Sequence, residues 1–232
     1  WDLFGKMQGK PLHKLWKLDT STAPLTDFTI GMDSIETMVA KMKEKPWPIY
    51  KVKVGTDNDV DMVAALRKET DAILRVDANA GWTLEQALQK IPLLKELGVE
   101  FVEQPLAKDD WEGMRTLYQQ SPLPLFADEA CVSEADVQKC HNHFHGINIK
   151  LTKCSGITPA LRMIKQAKSL DMQVMVGCMN ESSVGTAAIA QLAPMLHHVD
   201  MDGPLLLAED IATGVQFDAG KFVYTNEPGL GI

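Results

Sequence analysis

Three carboxylates recur along this sequence at almost equal intervals, each closing a short apolar run: Asp77 after "ILRV", Glu103 after "FV" and Asp128 after "LFA". The intervals are 26 and 25 residues. Lysines stand in pairs, Lys51 and Lys53 in "YKVKVG" and Lys150 and Lys153 in "NIKLTK", and a second acidic pair, Asp200 and Asp202, lies in "HVDMDG". Taken singly, each acid has an ordinary explanation as a helix N-cap or turn residue. Taken together in one pocket, three carboxylates repel one another unless a cation sits among them. An all-oxygen donor set without His or Cys suits Mg²⁺, with Mn²⁺ as a substitute. A lysine beside such a cation, and beside a second ammonium, has its pKa pushed down from about 10.4 towards the range of a general base. A substrate carboxylate held by the cation would have its α-proton acidified, and the resulting enediolate would be stabilised. A lysine on each face would then take the proton from one side and return one from the other, inverting the carbon as a racemase or epimerase does. The same site could expel a β-leaving group, and the residues alone do not choose between these outcomes.

For these side chains to converge, their elements must present them to one mouth. Eight β-rich runs alternate with helical patterns: "FTIG" (28–31), "YKVKVG" (50–55), "ILRVDAN" (73–79), "FVEQPL" (101–106), "LFADEA" (125–130), "GINIKL" (146–151), "VMVGCM" (174–179) and "HVDMDG" (198–203). Between them, "TLEQALQKIPLLKELG" (83–98) carries Leu84, Leu88, Ile91 and Leu94 at helical spacing and stops at Gly98. In "ITPALRMIKQAKSLD" (157–171), Pro159 occupies the first turn, where its missing N–H does no harm. A repeat of about 25 residues per strand and helix predicts a TIM-type (β/α) barrel, an α/β fold with its chemistry at the strand C-termini. An open doubly wound sheet would want a glycine-rich phosphate loop after its first strand, and "FTIGMDSIETM" has none. Because side chains alternate along a strand, Lys51 and Lys53 share a face, as do Asp77 with Asn79 and Asp200 with Asp202. Facing outward they would meet the apolar helix layer at high cost, so they are expected to face the barrel mouth.

The 232 residues carry a net charge of −8, which disfavours nucleic acid and anionic membranes as partners. No apolar stretch reaches the length of a membrane span and no signal peptide opens the chain, so a cytoplasmic location is expected. Cys131, Cys140, Cys154 and Cys178 form no CxxC pair and read as free, half-buried thiols.

Five segments in order, "KVKVG", "RVDANAGW", "FVEQPL", "ADEA" and "NIKLTKCSG", resemble the barrel domain of the enolase superfamily in its muconate-lactonising subgroup, and the likeness runs along almost the whole chain. That superfamily pairs a Lys or His base with Mg²⁺ and an ene-diolate. The resemblance implies that Asp77, Glu103 and Asp128 are Mg²⁺ ligands and that Lys53 and Lys153 are the acid/base pair, with Lys51, Asn79 and Glu129 supporting. Lys150, in the strand proper, rivals Lys153, which the family motif favours. "DMDGPLLL" (200–207) resembles the Asp-x-Asp element of the dipeptide epimerases, where Asp200 and Asp202 would hold the substrate's α-ammonium group. Thr29, Cys178, Met179 and Asn180 match positions lining the dipeptide site. The resemblance implies a Mg²⁺-dependent epimerisation of Ala-Glu type dipeptides, of the kind found in cell-wall peptide. The alternatives are o-succinylbenzoate synthase, muconate cycloisomerase or N-acylamino acid racemase chemistry, or a barrel fragment that binds metal without turnover. The family also carries an N-terminal α+β capping domain and often assembles as a homo-oligomer. Residues 1–20 are therefore expected to be the end of a linker from a missing cap, 21–215 the barrel, and 216–232 a segment packing toward that cap.

Overall fold

A computed structural model describes all 232 residues. Eight parallel strands follow one another in order around a barrel: β1 (Phe28–Ile30), β2 (Ile49–Lys53), β3 (Ile73–Asp77), β4 (Val99–Glu103), β5 (Leu125–Ala127), β6 (Gly146–Lys150), β7 (Gln173–Gly177) and β8 (His198–Asp200). Between β8 and β1 the ring is drawn together by a single bridge, Thr26 to Val199, and by Thr26 Oγ1, which accepts from the Met201 N–H at 2.8 Å. The expected barrel is present, nearly closed.

Every strand is shorter at its C-terminal end than its β-rich run. β3 stops at Asp77 because Asn79 and Ala80 turn the chain with φ of 44° and 61°, and β4 stops at Glu103 because Gln104 has φ 34°. Asn79, Asp128, Glu129 and Asp202 therefore sit on the loops that leave the strands, not on the strands themselves. The outer layer is built from amphipathic helices. Leu84–Glu96 begins on a capping box, in which Thr83 Oγ1 accepts from Gln86 N and Gln86 Oε1 accepts from Thr83 N, and it ends at Gly98 with φ 74°. Ile157–Ser169 buries Ile157, Ala160, Met163, Ile164 and Ala167 against the sheet.

The barrel interior is stratified. At its lower end Phe101, Phe126 and Met175 form a small cluster of their own, separate from the main core between sheet and helices. Gly146 is needed there, because a Cβ at that position would run into the Phe126 ring. The same layer holds Arg75, which pairs with Asp27 at 2.9 Å and with Glu100 at 2.7 Å. Above it comes a charged layer, and above that the mouth.

The two chain ends pack on each other. Leu12 N donates to Gly229 O, Gly229 N to Lys10 O, and Leu230 N to Asp2 Oδ1. His13 and Leu230 both bond Gln191 on the helix Ser183–Leu192, so residues 1–20 and the tail close over the helix layer. The tail also contains a short hairpin, Gln216–Asp218 with Lys221–Val223, absent from the sequence reading. All four cysteines are free and buried, more deeply than expected.

Candidate active site

The buried polar layer beneath the site is delivered by the period-two alternation of the strands. Two residues above the Arg75 layer, β3 places Asp77; β2 supplies Lys51, β4 Glu103, β6 Asn148 and β8 Asp200, all buried. Lys51 Nζ is the hub of this layer, at 2.7 Å from Asp200, 2.8 Å from Glu103 and 3.0 Å from Asp77. Burial works against the Lys51 charge, but Asp200, Asp77 and Glu103 outweigh it and hold its pKa well above the ordinary lysine value. Lys51 and Lys53 share one oxygen, since Lys53 Nζ lies 2.6 Å from Asp77 Oδ2 and also donates to Asn79 Oδ1 at 3.0 Å.

On the far side of the ring Lys150 ends β6, and Lys153 rises from the single helical turn Leu151–Cys154 that follows it. Both reach Asp128, Lys150 to Oδ2 at 3.0 Å and Lys153 to Oδ1 at 2.8 Å. β2 and β6 are four strands apart in an eight-strand ring, so Lys53 and Lys153 approach the mouth from opposite walls. Lys150, 7% exposed, is sunk beside Asp128, whereas the Lys153 and Lys53 side chains are 24% and 26% exposed and reach open space.

The mouth is a cavity of about 500 Å³. Its walls include Thr29, Lys51, Lys53, Asn79, Asp128, Glu129, Lys150 and Lys153, and on the other side Cys178, Met179, Asn180, Asp200, Asp202 and Leu206. Asp77 and Glu103 lie beneath this floor, with 0% and 1% exposure. Leu206 is an addition to the sequence reading; its signal was the apolar run that directly continues "DMDG". Asn148, which donates to Glu103 Oε1 at 2.7 Å, was missed as well, although it precedes Lys150 by two residues and so shares its face.

Six carboxyl groups (Asp77, Glu103, Asp128, Glu129, Asp200 and Asp202) meet four amines (Lys51, Lys53, Lys150 and Lys153), an excess of two acids, with Asp77, Glu103, Asp128 and Asp200 buried among them. Glu103 Oε2 is buried without an aligned hydrogen bond, its 2.8 Å approach to Lys51 being off the bonding direction. Burial and the charge of Asp77 push the Glu103 carboxyl up to about 7. A divalent cation would cancel the excess, and the hard oxygens of Asp77, Glu103 and Asp128 on successive strand ends suit Mg²⁺. The tightest convergence of donor atoms is a different trio, Cys178, Asp200 and Asp202, within 4.8 Å of one another. Burial first, then Asp200 and Asp202, push the Cys178 thiol far up, which leaves two carboxylates beside a neutral thiol. That arrangement fits an ammonium group better than Mg²⁺. Asp202 is held in place by the Thr29 N–H at 2.7 Å, and burial followed by the Asp200 charge raises its pKa.

The family described as enolase C-terminal domain-like matches residues 34–232. The chain is 57% identical to the L-Ala-D/L-amino acid epimerase of a Maribacter species over 232 residues, the whole of this chain and 69% of that protein. It superposes on the dipeptide epimerase of Enterococcus faecalis, solved with Mg and the dipeptide L-Leu-L-Tyr, with a TM-score of 0.93 at 33% identity, over 99% of this chain and 69% of that one. It also superposes on the dipeptide epimerase of Cytophaga hutchinsonii, solved with Mg and D-Ala-L-Val, with a TM-score of 0.92 at 30% identity, over 99% of this chain and 66% of that one. With a family match across most of its length and relatives this similar, the chain belongs to the enolase C-terminal domain-like family.

Proposed function

We propose that this protein is a Mg²⁺-dependent dipeptide epimerase, an isomerase that inverts the α-carbon of the dipeptide's C-terminal residue, one lysine removing the α-proton from one face and a second lysine delivering a proton to the other. The observation that carries this reading is the opposition of Lys53 and Lys153 across one mouth, with the Asp200–Asp202 pair at its β8 side. Asp77, Glu103 and Asp128 would hold the cation, which when bound withdraws electron density from the substrate carboxylate and so acidifies the neighbouring C–H. Whichever of Lys53 and Lys153 is neutral takes the α-proton, and the other, protonated, delivers one to the opposite face. Lys51 keeps Asp77, Glu103 and Asp200 in place below them. Asp200 and Asp202 would bind the free α-ammonium group of the dipeptide, a cation that N-acylated or non-amino acids lack, and this favours a dipeptide over the substrates of related cycloisomerases and N-acylamino acid racemases.

The substrate we favour is an Ala-Glu type dipeptide from cell-wall peptide, handled in the cytoplasm. The names of the relatives support the dipeptide, and four free thiols support a reducing compartment. No helix is long and apolar enough to cross a membrane.

Incubation with Mg²⁺ and L-Ala-L-Glu in D₂O tests the reading. Deuterium should enter the Glu α-carbon while the D-epimer accumulates. Lys53→Ala and Lys153→Ala should each abolish epimerisation yet leave exchange from one epimer, a different one in each variant. Both the 232-residue chain and a version extended at its N-terminus with the corresponding part of the Maribacter relative should be assayed. Absence of exchange from every dipeptide tried in either version, or loss of exchange from both epimers in each variant, would sink the two-base proposal.

A further inference from the structure

Gln104 follows a proposed ligand directly, is fully buried, and has a backbone φ of 34° that bulky side chains rarely adopt. Both atoms of its amide are bonded. Oε1 accepts from two backbone N–H groups, Asp128 N at 3.0 Å and Ala130 N at 3.1 Å, while Nε2 donates to Leu106 O at 2.9 Å. The two N–H groups belong to the loop that begins where β5 stops at Ala127, so they have no ladder partner there. The Leu106 carbonyl also settles which way the amide faces, since the reverse orientation would set donor against donor at Asp128 and Ala130. The Gln104 main chain is tied on both sides: its N–H donates to Phe126 O and its C=O accepts from Ala80 N, each at 2.8 Å.

One residue thus connects three strand ends. Through Ala80 it holds the loop leaving β3, three residues after Asp77; through its own backbone it holds Glu103; through its amide it holds the peptide of Asp128. We infer that Gln104 is a positioning residue that sets the mutual placement of Asp77, Glu103 and Asp128, and through it the affinity for the divalent cation. This rests on the reading of those three carboxylates as the cation's ligands. A side chain that touches no substrate and lines no part of the mouth would then control metal binding, because the strained backbone at residue 104 holds its geometry only while the amide keeps its bonds.

The test is Mg²⁺ titration calorimetry on the chain without substrate, which reads binding and not turnover. Gln104→Met keeps the length of the side chain but strips Asp128 N, Ala130 N and Leu106 O of their partner, and should weaken Mg²⁺ by about 10- to 100-fold, the usual cost of an outer-shell loss. Gln104→Glu keeps an acceptor for both N–H groups but loses the donor to Leu106 O, and should bind Mg²⁺ more tightly than Gln104→Met. Leu117→Ala, in the helix layer away from the site, should lower the melting temperature and leave Mg²⁺ affinity alone. If Gln104→Met fails to fold, Gln104→Asn decides, since Asn tolerates positive φ but is one methylene too short to reach both N–H groups. A folded Gln104→Met or Gln104→Asn that binds Mg²⁺ within twofold of the parent overturns the inference while leaving the ligand reading intact. A parent chain that binds no Mg²⁺ overturns both.

Discussion

His198 should make this protein lose stability in mild acid, by an amount that its surroundings define. The ring lies at the lower end of the barrel between Phe101 and Phe126, with centroids 5.0 and 5.3 Å away. Its Nδ1 is 3.0 Å from Arg75 Nη2, which can only donate, so Nδ1 must accept and the proton sits on Nε2, which donates to Gln173 Oε1 at 2.9 Å. A second ring proton would replace that acceptor with a cation facing the guanidinium. Burial first, then the Arg75 charge, then His197 depress the His198 pKa from 6.5 to about 3. Two acids stand near by, Glu100 at 3.9 Å from Nδ1 and Asp27 across the guanidinium, and both are already paired with Arg75.

A depressed folded-state pKa means that between about 6.5 and about 3 the unfolded chain binds a proton that the folded chain refuses. Stability from this group is therefore complete above about 6.5 and is lost as the pH falls, at up to about 1.4 kcal/mol per unit. At pH 5 the loss is about 2 kcal/mol. Urea unfolding between pH 7.5 and 5 checks this by comparing the parent with His198→Gln, which cannot titrate. Carboxylates and the other histidines act in both proteins, so the difference between the two slopes isolates His198. The parent should lose about 2 kcal/mol more than the variant across that range. Parallel slopes, within about 0.5 kcal/mol, would refute the neutral, Arg75-facing ring.

Three further outcomes are expected. Lys51→Met leaves Asp77, Glu103 and Asp200 facing one another without their shared cation, and should cost about 3–5 kcal/mol in urea unfolding without Mg²⁺, a gap that added Mg²⁺ narrows. Asp59 is fully buried and accepts from Gly55 N, Thr56 N, Thr56 Oγ1, Trp82 Nε1 and Lys90 Nζ, pinning the loops after β2 and β3 to each other. Asp59→Ala strands the Lys90 charge and should likewise cost about 3–5 kcal/mol in the same assay. Asp202→Asn removes one charge from the proposed ammonium site and should raise the dipeptide KM by about 10- to 100-fold in steady-state kinetics, with a smaller change in kcat.

Much of the site was legible because two local regularities carry it. Period-two alternation told that Lys51 and Lys53 share a face, and it applies as well to Arg75 with Asp77 and to Asn148 with Lys150, pairs that went unread. The recurrence of one strand and one helix about every 25 residues announced a barrel, and in a barrel the strand ends share a mouth. The strand ends themselves were misjudged by one to three residues, and at β3 and β4 this is because positive φ at Asn79, Ala80 and Gln104 is not announced by residue type at the last two of these. Asn79 still reaches Lys53, but from a turn, a contact that alternation alone could not have justified.

By itself the sequence determined the order of elements, the inward face of each strand, and the set of acids and amines that face must carry, since all three follow from neighbours along the chain. Only the tertiary structure decided which charge meets which. Lys51 binds three carboxylates from β3, β4 and β8, Gln104 bonds the peptide of Asp128, and the two chain ends close on Gln191. These pairings join residues from 24 to 178 positions apart. Their partners are chosen by strand tilt, loop curvature and the cost of leaving a buried polar group alone, and no local pattern in the chain records that choice.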